Sequence, residues 1–201
     1  MTPIPAQETL YTLIIFSENL AGVLNSVTGV FTRRQLNIES LNVSPSGFEK
    51  IHRYTITCRT DAKTIRTVAL QLEKKIDVIM ARYYTDDEVY VMEQALYKIA
   101  SARLVADREI SKAIRRHDAK IVEVNSIYAI VSKEGLHEEV RELYHALKSR
   151  GCLLQYVGSG VVAVTKSRRE ELSEFLEQRS RQAAEASTTA KSATAESPEQ
   201  P

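Results

Sequence analysis

The chain has 201 residues and 43% of them are hydrophobic, which suits one large or two small globular domains with an ordinary core. Its 27 lysine and arginine residues nearly balance 26 aspartate and glutamate residues, so the net charge of +1 gives no electrostatic reason to expect a polyanionic partner such as nucleic acid. Cys58 and Cys152 match no metal-binding spacing and are too few for a disulfide framework, so we predict two buried free thiols in a cytosolic protein.

The first predicted elements are a strand and a helix that follow each other almost directly. Residues 10–17, LYTLIIFS, form a nearly continuous apolar run that is typical of a central strand. This run is far too short to cross a membrane and no basic leader precedes it, so we expect a cytoplasmic protein. From Gly22 to Arg34 the apolar residues recur every three or four positions, which predicts an amphipathic helix. We interpret Gly29 inside this helix as a site of close packing on a sheet.

The next elements complete a βαββαβ pattern. Residues 37–45 alternate imperfectly, as a strand with a bulge would, and residues 52–58 alternate strictly between apolar and polar side chains. Asp61 is the predicted N-cap of a second helix. The predicted inner face of that helix consists of Ile65, Val68, Ala69 and Leu72. Residues 77–84 are the fourth predicted strand.

The same order of elements recurs after residues 85–87, which we interpret as a boundary. The second pattern comprises a strand at 89–100, a helix at 105–116, a hairpin around Ser126, a helix at 135–149, and strands at 153–157 and 161–165 that are separated by residues 158–160. A charged helix at 168–182 follows, and residues 183–201 have the small, polar composition of a disordered tail.

These elements predict an α+β fold with two ferredoxin-like βαββαβ units, each an antiparallel sheet with helices on one face. The predicted domains are residues 8–85 and 86–167, followed by the helix at 168–182 and the tail at 183–201. Such units leave a sheet face and edge strands that two units could bury by pairing side by side or back to back, within one chain or between chains. We therefore expect a dimer.

The sequence contains no pattern that favours catalysis or metal binding. His137 and His145 are eight residues apart, whereas a helix presents two imidazoles to one metal at a spacing of four. No nucleophile elbow or phosphate-binding glycine loop is present, and Ser159 between two glycines suits a turn. The third strand has one aromatic residue, Tyr54, and lacks the aromatic run of RNA-recognition domains. We predict no catalytic residue, no metal site and no nucleic-acid partner.

The junction between the first strand and the first helix is the strongest candidate for a binding site. A helix N-terminus has unpaired amides and a partial positive charge, so it suits a carboxylate. Asn19 offers a donor and an acceptor for an amino acid, and Gly22 lets a ligand approach the backbone. Spacing alone fits other roles better, with Asn19 as an N-cap or turn residue and Gly22 as a turn residue.

Residues 18–43, ENLAGVLNSVTGVFTRRQLNIESLNV, resemble the amino-terminal signature of acetolactate (acetohydroxyacid) synthase small subunits, whose first domain is an ACT domain. The matching positions are Glu18-Asn19, Gly22-Val23-Leu24, Val27, Gly29, Phe31, Arg33-Arg34 and the run Asn37 to Leu41. The run N-I-E-S-L is specific, because ACT domains in general share only the short turn and the helix. The resemblance extends through the second pattern and GSGVVAVTKS at 158–167, and so covers residues 8–170.

This resemblance implies a non-catalytic regulatory subunit in the biosynthesis of valine, leucine and isoleucine. Such a subunit binds a catalytic large subunit, raises its activity and mediates feedback inhibition, usually by valine. Thiamine diphosphate, magnesium and FAD are implied for the catalytic partner, and no cofactor is implied for this chain. The rival interpretation is a free-standing ACT-type amino-acid sensor or interaction module without a synthase partner.

The resemblance also places the effector contacts in two segments. One contains Asn19 and Gly22 with the intervening and following residues Leu20, Ala21 and Val23, and the other contains Asn37 and Ile38. In the family the effector lies between ACT domains of two subunits, so Asn37 would reach across from the partner chain of a homodimer.

The chain departs from the family at two places near these contacts. Ala21 stands where the family often has proline or serine, which is a tolerant exchange. Gln35-Leu36 stands where the family usually has glycine and then tyrosine. Gln35 must therefore either adopt a left-handed conformation at roughly 1 kcal/mol or end the helix differently, and the second outcome would shift Asn37.

Overall fold

The computed structural model describes residues 8–170 and 172–181. Within these residues the strands are β1 (Thr9–Glu18), β2 (Ser40–Pro45), β3 (Ile51–Thr60), β4 (Val78–Tyr84), β5 (Val89–Ala100), β6 (Lys120–Val124), β7 (Tyr128–Gly135) and β8 (Leu153–Thr165). The helices are α1 (Val23–Thr32), α2 (Ala62–Glu73), α3 (Ser101–Ala106), α4 (Arg108–Arg116) and α5 (His137–Ser149), and residues 172–181 are also helical. None of the described helices has the length and apolar character needed to cross a membrane.

The first sheet has the strand order β2-β3-β1-β4, and its strand pairs are antiparallel. The apolar run of β1 is buried from Tyr11 to Ser17, which explains why it lacks the alternation of a half-exposed strand. Alternate residues of β1, among them Leu13 and Ile15, share one core with the inner sides of α1 and α2. Both helices therefore pack on the same face of the sheet, as predicted.

Helix α2 agrees with the sequence prediction in its cap and in its buried side. The carboxylate of Asp61 accepts hydrogen bonds from the backbone amides of Lys63 (2.9 Å) and Thr64 (3.0 Å), as an N-cap does. The buried residues of the helix are Ile65, Val68, Ala69 and Leu72, the four that were predicted.

Strand β2 is shorter and more regular than predicted. It begins at Ser40 instead of residue 37, and its register with β3 continues to Pro45 without a shift, so the predicted bulge is wrong. Leu36 and Ile38 precede the strand and pack against the first core. This packing outside the strand accounts for the imperfect alternation of residues 37–45.

The second sheet repeats the order of the first, β6-β7-β5-β8. The predicted single helix over residues 105–116 is instead two helices, α3 and α4, with Asp107 in an extended conformation between them. The carboxylate of Asp107 accepts a hydrogen bond from the Glu109 amide at 2.9 Å, so it caps the start of α4. An aspartate that satisfies a first-turn amide favours a new helix start over a continuous helix.

Strand β8 is continuous, so the predicted break at residues 158–160 is wrong. Gly160 has a positive φ of 76°, which a glycine adopts without steric cost, and the chain continues in strand conformation on both sides of it. Each half of the fold therefore contains four strands in βαββαβ order. The predicted fold class, two ferredoxin-like units with antiparallel sheets, is confirmed.

Beyond Gly160, β8 also contacts the first sheet, on the face opposite its helices. The Val161 amide donates a hydrogen bond to the Ser40 hydroxyl at 3.4 Å, and the Arg53 guanidinium donates to the Ala163 carbonyl. Thr55 and Thr57, which point to this face between the core residues of β3, are buried. Part of the face that a ferredoxin-like sheet leaves open is thus covered by the same chain.

The C-terminal end of α1 shows how the chain accommodates Gln35. Gln35 has a φ of 55°, so it takes the left-handed conformation. The Gln35 amide donates to the Thr32 carbonyl (3.0 Å) and the Leu36 amide donates to the Phe31 carbonyl (3.1 Å), which is the hydrogen-bond pattern of a Schellman motif. Of the two alternatives left by the sequence, the helix ends as it would with glycine at this position.

Two further expectations have different outcomes. A Cβ atom on Gly29 would meet only the end of the Arg33 side chain, at 3.8 Å, so the interpretation of close packing on a sheet is wrong. Cys58 and Cys152 are buried free thiols, as predicted, and burial raises the pKa of Cys58 to about 11. Desolvation likewise raises the pKa of Cys152.

The chain divides into two compact units. Residues up to Val164 form one unit, which contains both sheets except Thr165, the last residue of β8. Residues from Thr165 onward form the other unit. The domains at 8–85 and 86–167 therefore stay a prediction. Residues 172–181 are helical but residues 168–170 are not, so the helix predicted at 168–182 begins later than predicted. The tail predicted at 183–201 lies outside the described residues.

Candidate effector-binding site

The loop between β1 and α1 is held at its first residues by backbone hydrogen bonds. The Glu18 amide donates to the Asp77 carbonyl at 3.0 Å, and the Asn19 amide donates to the Lys50 carbonyl at 2.9 Å. The Asn19 side chain is exposed and makes no hydrogen bond within the described residues. Its amide group is therefore available to a ligand.

Gly22 gives the loop its shape. It occupies the N-cap position of α1 with a φ of 90°, a conformation that favours glycine, and α1 has no side-chain cap. Asn19 as the N-cap of this helix, one alternative left by the sequence, is therefore wrong, whereas Gly22 as a turn residue is confirmed. A Cβ atom on Gly22 would meet nothing within 4 Å, so the backbone at this point faces open space.

The amides at the start of α1 form a set of free donors. The Val23 amide makes a long hydrogen bond of 3.4 Å to the Leu20 carbonyl. The amides of Ala21, Gly22, Leu24 and Asn25 have no acceptor among the described residues. Free amides at a helix N-terminus combine hydrogen-bond donors with the positive end of the helix dipole, which together favour a carboxylate.

Apolar side chains lie beside these amides. Leu20 in the loop is 54% exposed and Leu24 on the first turn of α1 is 43% exposed, while Val23 between them is buried in the first core. A ligand carboxylate on the amides would therefore have exposed leucine side chains nearby. This combination suits an amino acid with an aliphatic side chain better than it suits a plain anion such as phosphate.

The second predicted segment, Asn37 and Ile38, lies at the opposite end of the first sheet. Glu18 of β1 pairs with Ile51 of β3, whereas Ser40 of β2 pairs with Thr57. Six residues of extended strand separate those two partners, a distance of about 20 Å along β3. Asn37 is exposed and Ile38 is half-buried against the core. Within one chain the structure brings Asn19 to Val23 together and does not bring Asn37 to them.

The described residues contain no constellation that would suggest another kind of site. Among residues 8–170 and 172–181, no group of three or more His, Cys, Asp or Glu side chains is placed to hold a metal ion. The His137 ring lies 3.1 Å from the Glu93 carboxylate beside the start of α5, which is an ion pair when the histidine is protonated. His145, the other histidine of the predicted helix face, has its ring 5.3 Å from that of Tyr144.

Comparison with known proteins identifies the family. A model described as an AHAS small subunit-like ACT domain matches residues 13–80, and a model described as the small subunit of acetolactate synthase matches residues 92–167. The acetolactate synthase small subunit of Haemophilus influenzae is 30% identical over 160 residues, which cover 80% of this chain and 98% of that protein. The chain belongs to the acetolactate synthase small-subunit family. The small subunit of Bacillus subtilis is 29% identical over 156 residues, covering 77% of this chain and 90% of that protein.

A solved structure supports the same fold. The crystal structure of the acetolactate synthase small subunit from Thermotoga maritima matches with a TM-score of 0.72 at 23% identity, covering 80% of this chain and 99% of that one. The family predicted from residues 18–43 is thus confirmed. Membership of this family favours a regulatory role over a free-standing sensor.

Sequence reasoning missed two residues, Ser40 and Arg53, that connect the first sheet to β8. Their contacts with β8 join positions more than a hundred residues apart in the chain. The available signal was the run of residues 158–160, which marks the place where β8 turns toward the first sheet. In the sequence alone, the same run is equally typical of the end of a strand.

Proposed function

We propose that this protein is the non-catalytic regulatory subunit of an acetolactate synthase in the cytoplasm. It binds the catalytic large subunit, raises its activity, and mediates feedback inhibition by valine or a related branched-chain amino acid. The cofactors thiamine diphosphate, magnesium and FAD belong to the catalytic partner, and this chain carries none. The observation that carries the proposal is the set of free amides beside exposed leucines at the start of α1, in a chain of this family.

The loop suits the two ends of an amino acid in different ways. The free amides of Gly22 and Leu24 donate to its carboxylate, where the helix dipole adds a favourable interaction. The Asn19 side chain supplies an oxygen that accepts from the ammonium group. Leu20 and Leu24 contact the aliphatic side chain, and each methyl or methylene group that leaves water there adds about 0.8 kcal/mol to binding.

The distance between Asn19 and Asn37 within one chain is the reason to propose a homodimer. Strand β2 is at the edge of the first sheet, so its free backbone groups can pair with a second copy. In an antiparallel β2 pair, the start of β2 in one chain meets the end of β2 in the other. Pro45 at that end and Asn19 lie at the same end of the sheet, because His52 of β3 pairs with both Pro45 and Ser17. Asn37 of one chain thereby approaches the Asn19 loop of its partner.

Inhibition follows if the effector binds one arrangement of the dimer better than another. A differential affinity of about 1 to 3 kcal/mol between the two states changes the activity of the catalytic subunit by roughly 5-fold to 150-fold. The effector need not reach the catalytic centre. Its contacts across the dimer interface are sufficient.

The test is acetolactate formation by the purified catalytic subunit, with and without this protein, over a range of valine concentrations. We expect stimulation that valine reverses in the wild type. Asn19→Ala and Asn37→Ala should stimulate as the wild type does and respond less to valine. Stimulation by the wild type without a response to valine, leucine or isoleucine would refute the effector assignment, and binding of one of these amino acids without stimulation would favour the free-standing sensor.

A mixing experiment tests whether the two segments come from different chains. Asn19→Ala and Asn37→Ala homodimers each have two defective sites, but a mixed dimer has one site with both asparagines and one with neither. After unfolding and refolding together at equal concentrations, about a quarter of all sites should bind valine with wild-type affinity, as measured by calorimetry. A site formed within one chain predicts no recovery.

A further inference from the structure

Strand β8 belongs to the second sheet and also contacts the first. It lies beside β5, and its Ser159 hydroxyl accepts a hydrogen bond from the Gln94 amide of that strand at 3.0 Å. After Gly160, with its φ of 76°, the strand also contacts the first sheet. A Cβ atom on Gly160 would lie 3.6 Å from the Cβ of Ser40, so the glycine backbone passes directly against β2.

The first of these contacts lies next to the Asn37 segment. Ser40 is the first residue of β2, three positions after Asn37. Its hydroxyl lies 2.8 Å from the Thr57 hydroxyl and accepts from the Val161 amide at 3.4 Å, which is near the long limit for a hydrogen bond. A shift of residues 37–39 of a few tenths of an ångström would therefore strengthen or break the bond to β8.

The second contact leads to the Asn19 segment. The Arg53 guanidinium donates to the Ala163 carbonyl and also lies over the ring of Phe16, 5.8 Å from its centroid. Phe16 is opposite Arg53 in the β1–β3 pair and is three residues before Asn19. A movement of the end of β1 is therefore transmitted through Phe16 and Arg53 to the same part of β8.

We propose that residues 160–163 of β8 couple the effector-binding segments of the first sheet to the second sheet, with Ser40 and Arg53 as positioning residues for feedback inhibition. This inference rests on the proposed function. In the proposed dimer, Asn19 and Asn37 of one chain belong to two different effector sites. Both sites of the dimer then act on β8 of each chain, and the second sheet responds to the occupancy of both.

The test separates binding of valine from its effect on the catalytic subunit. Ser40→Ala removes the acceptor of the Val161 amide, and Arg53→Lys keeps the positive charge but loses the planar guanidinium that both donates and stacks. Ser44→Ala is the matched control, because Ser44 is on the same strand and the same face, is exposed, and makes no side-chain hydrogen bond within the described residues. Each variant is assayed in the complex for stimulation, and alone for valine binding by calorimetry.

We expect both test variants to stimulate the catalytic subunit and to bind valine, when alone, within about threefold of the wild-type affinity. The ratio of activities without and with saturating valine should fall toward one, a decrease of about fivefold or more, whereas Ser44→Ala keeps the wild-type ratio. A wild-type ratio in both test variants overturns the inference, as does an equal loss in Ser44→Ala. A wild type that neither stimulates nor binds valine overturns the proposed function, and the inference with it.

Discussion

Replacement of Gln35 by glycine tests the account of the end of α1. Gln35 has a φ of 55°, and its exposed side chain makes no hydrogen bond within the described residues, so Gln35→Gly removes no polar contact. The left-handed conformation costs a residue with a side chain about 1 to 2 kcal/mol. Gln35→Gly removes this cost and so stabilises the folded state. Glycine also gives the unfolded chain more conformational freedom, which offsets about 0.4 to 1 kcal/mol of that stabilisation.

The net result should be an increase of about 0.5 to 1 kcal/mol in the free energy of unfolding, and a rise in Tm of about 1 to 4 °C for a chain of this size. Urea unfolding followed by circular dichroism measures the first quantity and calorimetry the second. Asp118→Gly is the matched control. Asp118 ends α4 with a φ of 50° and the same pair of hydrogen bonds, but aspartate tolerates this conformation better, so its gain should be smaller.

A decrease or no change in the stability of Gln35→Gly would refute the reasoning. The same variant also tests the position of Asn37. Because the helix already ends as it would with glycine, Asn37 should stay in place and valine affinity should remain within about twofold of wild type. A larger change in affinity would mean that the Gln35 side chain, and not the backbone geometry, affects the effector site.

Three further predictions concern the core and the helix ends. Hydrogen bonds from Thr64 lower the pKa of Asp61. The contribution of Asp61 to stability is therefore present above its unfolded pKa and is lost as pH falls through its folded pKa. Asp61→Asn keeps a capping oxygen, so urea unfolding at several pH values should show a stability that is less sensitive to acid below about pH 4. Tyr97→Phe removes the buried hydrogen bond to the Val140 carbonyl (2.7 Å) and should lower the free energy of unfolding by about 1 kcal/mol, and an unchanged urea midpoint would contradict this role. The thiols of Cys58 and Cys152 are buried and have raised pKa values. An aromatic disulfide reagent at pH 8 should therefore label neither thiol in the folded protein and both in denaturant. Rapid labelling without denaturant would contradict this prediction and would show that the cores open readily.

Those parts of the fold that depend on neighbouring residues could be predicted from the sequence. The buried side of α2 and its Asp61 cap follow from side-chain periodicity and from one local hydrogen-bond pattern, which are both properties of a short segment. The continuous apolar run of β1 likewise indicated a central strand, because both of its faces had to be covered. Resemblance over residues 18–43 gave the family and the two effector segments.

Tertiary structure decided the features that depend on distant parts of the chain. Gly160 alone permits either a turn or a continued strand, and contacts with Ser40 and Arg53 select the strand. The sequence likewise offered both Asn19 and Gly22 for the start of α1, and anchoring of the Asn19 amide by Lys50 places the helix start at Gly22. Local patterns determine which segments form helices and strands, because they act within one or two turns. Long-range pairing determines how those segments meet, and only that pairing separates Asn37 from Asn19 within one chain.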